Sequence, residues 1–237
     1  MSGFETVIYE KEDGVASVTL NRPRVLNAID LTMRDELWTL FEAVRLDPDV
    51  GVVVFRGAGG RAFSSGADIR DFGSAPSYVE ARRARQERDL WRLLLAIEKP
   101  LIASLHGHVV GAGLELSLCC DLRIAGESAR LGLPELALGY LPAAGGSQTL
   151  PRMVGPGRAL HMILSGEPVD AAAALAAGLV QWVVPDAELA AATAALARRV
   201  LARPARALRL AKEAVVGGLD LPLAAGLGLE ARLRARL

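Results

Sequence analysis

Short runs rich in β-branched residues alternate with longer runs of helical periodicity along most of this chain, and that alternation most constrains what it can fold into. The β-rich runs fall at 7–9, 16–20, 51–55, 101–105, 122–125 and 179–184, and the helix-like segments at 31–46, 78–97, 112–120 and 158–165. Asp30 is placed to cap the first of these helices, and Lys99-Pro100 to stop the second. Strands alternating with helices predict an α/β architecture. From Ala187 onward the pattern changes to nearly continuous Ala/Leu/Arg helix, interrupted at Pro204, Gly217-Gly218 and Pro222. This predicts a core over 1–186 and an all-helical C-terminal region over 187–237. The prolines and glycines of that region argue against a coiled coil, and no repeat of fixed period is visible.

Composition sets the outer limits. The chain has 237 residues, 51% of them hydrophobic, enough to bury a sizeable core without disulfides or a structural metal. Lys+Arg and Asp+Glu balance at 27 each, so no global field draws in nucleic acid or an anionic membrane, and any anion must be bound locally. Cys119 and Cys120 are adjacent in an apolar run, which suits buried thiols rather than a disulfide framework or a metal cage, so a reducing, cytoplasmic compartment is expected. The first residues show no basic-then-apolar signal pattern. The longest nearly uncharged apolar stretch, 171–184, falls short of the roughly 20 residues of a membrane span. A soluble protein without membrane contact follows.

Glu115 and Glu135 carry the strongest chemical signal. They lie 20 residues apart, the first ending Gly111-Ala112-Gly113-Leu114-Glu115 and the second following Pro134, each leading into an apolar stretch. Two carboxylates brought together in an apolar site cannot both ionise freely, and their proton affinities separate into an acid and a base. Taken singly, either reads as an ordinary acid near a helix N-terminus. Two glycine-containing turns, 63–69 and 107–113, are suited to aiming backbone N–H groups at a negative oxygen. Competing motifs fail: Leu116 breaks a dinucleotide fingerprint, no P-loop lysine follows either turn, and Ser64, Ser65 and Ser147 lack a nucleophile-elbow frame. His106, His108 and His161 have no metal-ligand spacing, so neither a metal site nor a Ser–His triad is expected.

Four motifs in register then bring the chain to a family. Asn21-Arg22-Pro23-Arg24-Val25-Leu26-Asn27-Ala28, Phe63-Ser64-Ser65-Gly66-Ala67-Asp68-Ile69, Gly111-Ala112-Gly113-Leu114-Glu115-Leu116 with Cys120-Asp121, and Pro134-Glu135 with Gly139-Tyr140-Leu141-Pro142-Ala143-Ala144-Gly145-Gly146 together resemble the crotonase (enoyl-CoA hydratase/isomerase) family. The likeness implies a crotonase-like ββα spiral core, a C-terminal helical trimerisation region, and self-association as a trimer or a dimer of trimers. It implies that the N–H groups of Ala67 and Ala112 form the oxyanion hole for an acyl-CoA thioester, Ala112 standing where many relatives have glycine. Glu115 and Glu135 match the two catalytic acids of the hydratases. Arg24, Val25, Leu26, Gly66, Asp68 and Ile69 match positions lining the CoA channel, and Gly111, Pro134 and Ala143 match further substrate-binding positions. Arg24 is suited to meet a CoA phosphate.

Keeping both acids points to reversible syn addition of water to a 2-enoyl-CoA, with CoA arriving as part of the substrate and no separate cofactor or metal. Two alternatives stand beside it. One is an enoyl-CoA isomerase working through a single glutamate. The other is an RNA-binding member using the stripe Arg82, Arg85, Arg88 and Arg92, although Glu80, Glu87 and Asp89 mark that segment as a solvated face. Segment 71–91 is where relatives vary the acyl pocket. The chain ends at Leu237, where relatives usually continue with a helix that closes the pocket, so closure is expected from 222–237 or a neighbouring subunit, failing which the pocket is more open.

Overall fold

The structure, a computed structural model, describes residues 3–71 and 88–237. Its main sheet has six strands in the order β1 (Val7–Glu12), β2 (Val15–Leu20), β3 (Val52–Gly57), β5 (Leu101–Leu105), β7 (Leu122–Gly126) and β10 (Trp182–Val184). Only β1 runs antiparallel to its neighbour. Parallel strands covered on both faces read as unbroken apolar runs, and β3 shows why. Val53 and Phe55 point into the larger core with Leu101, Ala103 and Leu105, whereas Val52 and Val54 meet Ile102, Ile124, Leu189, Leu196 and Ala197 on the opposite face. That second face is covered by helix Leu189–Leu201, so the helical C-terminal stretch begins as part of the core.

A second, smaller sheet runs β4 (Ala62–Ser64), β6 (His108–Val110), β8 (Arg130–Gly132) and β9 (Val169–Asp170). Each turn of the chain therefore places one strand in each sheet: β3 then β4, β5 then β6, β7 then β8. This repeated turn is the crotonase spiral. The strands of the small sheet are two or three residues long, and β4 and β6 overlap the glycine-containing segments 63–69 and 107–113 that read as turns in the sequence. Pairing across the spiral makes them strands.

Helix α1 (Leu31–Leu46) starts where the sequence predicts, with the Asp30 side chain accepting from Met33 N at 2.8 Å. Its apolar face, Met33, Leu37, Leu40, Phe41 and Val44, is buried. Of the helix expected over 78–97, the described part is α2 (Leu90–Leu95), capped by Asp89; Arg82 and Arg85 lie outside the described residues. The helix expected over 112–120 is α3 (Ala112–Leu118), and the strand expected from 179 begins only at Trp182, because Leu179 N and Val180 N turn back onto Ala174 O. Helices α4 (Gly146–Val154), α5 (Pro156–Ser165) and α6 (Ala171–Ala176) lead to α7 (Leu189–Leu201). Then α8 (Ala205–Gly218) and α9 (Leu223–Arg234) pack against each other, broken from α7 and from one another at the predicted prolines. Among the described residues no helix is long and apolar enough to cross a membrane.

Candidate active site

The first wall of the site is the turn after β4. Ile29 N donates to Gly66 O at 2.8 Å and Asp68 N donates to Ile29 O at 3.0 Å, so Ile29 takes both flanks of Ala67 in a parallel bridge. Ala67's own N–H faces the other way and has no acceptor among the described residues. The 22–28 loop holds this turn in place. Asn27, fully buried with φ +55°, donates through Nδ2 to Ala58 O (2.9 Å) and Ala62 O (2.8 Å) and accepts from Arg22 N (3.0 Å). Ser65 N donates to Leu26 O at 2.9 Å.

The second wall is the β6–α3 turn. Gly111, at φ +55° and ψ −131°, lies outside the backbone space of L side chains and turns the chain sharply into α3. Ala112 is the first helical residue, so its N–H has no intrahelical partner, and it has none elsewhere among the described residues. The walls touch: at φ +97°, a methyl group on Gly66 would meet Val110 O at 3.0 Å and Ala112 N at 3.3 Å. Glycine there allows the close approach of the segments bearing the Ala67 and Ala112 N–H groups.

The structure brings both glutamates to this junction. Glu115 lies one turn along α3 from Ala112 and is 3% exposed. Its Oε1 accepts from Ala144 N and Gly146 N, both at 2.8 Å. Burial pushes its carboxyl up to about 7, the nearby Glu135 charge adds to the rise, and the two N–H bonds oppose it. Glu135, half-buried, opens the 3₁₀ turn Glu135–Leu138. A methyl group on Gly111 would come within 3.2 Å of Glu135 Oε1, which puts this carboxylate beside the β6–α3 turn. Its Oε2 is buried with no hydrogen-bond partner among the described residues, and burial raises its carboxyl as well.

The remaining predicted positions fall around this centre. Arg24 is exposed and free of partners among the described residues, while Val25 and Leu26 lie half-buried against the Ser65 turn. Ile69 is 63% exposed, Pro134 is half-buried next to Gly166, and Ala143 is exposed immediately before the Ala144 N–H. The Asp68 side chain is held by protein instead: Arg70 grips both its oxygens and Arg22 Nη1 donates to Oδ2 at 3.0 Å, which holds the carboxyl well below the usual range. Arg22 also pairs with Asp30 at 3.0 Å, so through Asp30 and Asp68 it ties the 22–30 loop to the turn after β4. Arg22, Asn27, Ala144 and Gly146 are working parts that the sequence analysis gave no role, although all four lie within the quoted motifs. His106 Nε2 bonds to Gly59 O at 2.8 Å, a structural contact, and Arg88 of the basic stripe is paired with Asp35 at 2.8 Å.

Two main-chain N–H groups without acceptors among the described residues thus meet at a glycine junction beside two carboxylates of raised proton affinity, on a crotonase fold. The chain belongs to the enoyl-CoA hydratase/isomerase family, whose model matches residues 10–237. It is 38% identical over 229 residues to the crotonyl-CoA hydratase of Syntrophomonas wolfei subsp. wolfei, covering 96% of this chain and 88% of that one. It is 37% identical over 223 residues to the (E)-benzylidenesuccinyl-CoA hydratase of Thauera aromatica, covering 93% and 86%. The crystal structure of the Bacillus anthracis enoyl-CoA hydratase superposes with a TM-score of 0.92 at 35% identity, covering 98% of this chain and 90% of that one.

Proposed function

We propose that the chain is an enoyl-CoA hydratase, adding water syn across the C2=C3 bond of a 2-enoyl-CoA to give a 3-hydroxyacyl-CoA, as in fatty-acid β-oxidation. The Ala67 and Ala112 N–H groups receive the thioester oxygen. As charge gathers there, each donor contributes about 2.7 to 4 kcal/mol of transition-state stabilisation. Glu115 and Glu135 flank one water. Glu115 takes a proton from it as the water oxygen bonds to C3, and the π electrons move toward C2 and the carbonyl to form the enolate. Glu135 then delivers its proton to C2 as the carbonyl re-forms.

The carrying observation is the unequal solvation of the two acids. Two N–H groups support ionised Glu115, whereas Glu135 Oε2 is buried with no donor among the described residues, which suits a carboxyl that holds a proton. CoA enters with the substrate, and the exposure of Arg24 supports a role for it in meeting a phosphate; the reaction calls for no further cofactor. Crotonyl-CoA incubated with the protein loses the absorbance of its conjugated thioester. Glu135→Gln folds normally and loses at least about two orders of magnitude in kcat. Wild-type turnover in that variant, or an unaffected Glu115→Gln beside an inactive Glu135→Gln, refutes the two-acid mechanism, the second outcome in favour of single-acid isomerisation.

We also infer a trimer or dimer of trimers, supported by exposed Val215, Leu219, Leu223 and Leu227 on the α8–α9 pair, which light scattering of the purified chain reads. Buried Cys119 and Cys120, their thiols pushed up by burial to about 12 and beyond the usual thiol range respectively, support a cytoplasmic location, read by cell fractionation.

A further inference from the structure

Helix α3 carries the Ala112 N–H at its first residue and Glu115 one turn on, while its far end is held by a buried cation. Arg123, in β7, is 4% exposed. Its Nη1 donates to Cys120 O at 2.6 Å and Ser117 O at 3.2 Å, and its Nε donates to Leu179 O at 2.6 Å. No carboxylate forms an ion pair with it among the described residues; the Asp121 charge acts on it at longer range, and the carbonyls at the end of α3 meet it directly. A helix C-terminus carries about half a negative charge, which offsets part of the several kcal/mol that burying a cation costs. An apolar side chain would avoid that desolvation but leave the Cys120 and Leu179 carbonyls buried without this donor, so the guanidinium has a stabilising role as a cap as well. What the guanidinium adds is geometry, a rigid fork spanning the end of α3 and the Leu179 carbonyl before β10.

We propose that Arg123 is a positioning residue for the hydration reaction, fixing the C-terminal carbonyls of α3 against Leu179 O and thereby aiming Ala112 N–H and Glu115 at the opposite end. This rests on the function proposed above. With seven residues α3 is only about 10 Å long, so a tilt at one end displaces the other. Misplacement by about 1 Å costs up to roughly 10²-fold in rate.

Three variants test it: Arg123→Lys, Arg123→Met and, as a control, Lys212→Met. Lys212 ties α8 to the core through Asp121 Oδ2 (2.8 Å) and Lys99 O (2.9 Å) and touches no α3 carbonyl. All are assayed on crotonyl-CoA well below their melting midpoints. Lysine keeps the charge but cannot reproduce the fork, so Arg123→Lys folds, loses about tenfold or more in kcat and keeps KM within about twofold. Arg123→Met loses at least as much, and if it does not fold, Arg123→Lys alone decides. Lys212→Met melts lower but keeps kcat within about twofold. Wild-type kcat in Arg123→Lys, a loss carried by KM, or an equal kcat loss in Lys212→Met overturns the proposal. A wild-type protein inert toward crotonyl-CoA overturns the hydratase reading instead.

Discussion

Gly146→Ala separates the catalytic geometry from the stability of the fold. Gly146 opens α4 with ordinary helical backbone angles, so alanine fits the local conformation and gains up to about 1 kcal/mol in helix propensity. The added methyl, however, would sit 2.9 Å from Glu115 Oε1 and 3.0 Å from both Glu115 Cγ and Pro142 Cβ, about 0.5 Å inside the 3.4 Å at which ordinary contact begins. Something must yield by that amount. Glu115 Oε1 is held at 2.8 Å by Gly146 N itself and by Ala144 N, so the carboxylate and its donors move together. If about 1 Å of misplacement costs up to roughly 10²-fold, half of that costs about tenfold, or about 1.4 kcal/mol on the barrier. Overpacking costs about 1 to 3 kcal/mol of stability and the helix gain offsets part of it, leaving a folded protein. The crotonyl-CoA absorbance assay should show kcat down about tenfold with KM little changed, alongside a melting midpoint lowered by only a few degrees. Wild-type kcat in a folded Gly146→Ala protein refutes the claim that the 144–146 N–H groups aim Glu115.

Glu115→Gln should be more stable than wild type at pH 8. Because the folded protein holds this carboxyl's proton up to about 7 against an ordinary value of 4.5, stability falls as pH rises between those values and stays reduced above 7. The gap corresponds to about 3 kcal/mol. Urea unfolding should show the variant's advantage in full at pH 8 and closing as pH falls toward 4.5; an advantage independent of pH contradicts the burial argument. Arg24→Ala should raise KM for crotonyl-CoA about three- to tenfold with kcat unchanged, the effect shrinking as salt is added, as expected for a solvent-exposed contact to phosphate. A fall in kcat without a change in KM would remove Arg24 from CoA binding.

What the sequence made legible was whatever depends on local physics. Asp30 caps α1 because an N-cap is a contact three residues long, and the breaks at Pro204 and Pro222 act on the backbone that carries them. β3 and β5 read as strands because burial on both faces leaves them nearly continuous apolar runs, Ser104 being the one polar residue within 51–55 and 101–105. β4, β6 and β8 were illegible for the opposite reason, since two or three residues become strands only through partners one spiral turn away. The site divides similarly. Glu115 and Glu135 stand out by residue type, and the glycines beside them by what glycine alone permits. The donors from Ala144 and Gly146 are main-chain groups that every non-proline residue possesses, so only the folded path of the 142–146 loop reveals them. Asp68 shows the converse: a carboxylate amid ligand-binding motifs whose side chain the fold spends on Arg22 and Arg70.

The two acids also show how opposing terms set a working proton affinity. Burial alone drives a carboxyl far up; two N–H bonds to Glu115 Oε1 draw it back to about 7, where an appreciable fraction is ionised at neutral pH, the state the proposed mechanism asks of its base. With fewer donors, Glu115 would stay protonated and could not act as a base. With full solvation it would return toward 4.5 and be a feeble one. Glu135 Oε2 has no donor among the described residues, and burial raises this carboxyl too, opposed by a bond from its own backbone N–H. The desolvation that weakens the fold by a few kcal/mol at neutral pH is therefore the same one that, in the mechanism proposed above, brings a carboxyl into the range of acid–base work.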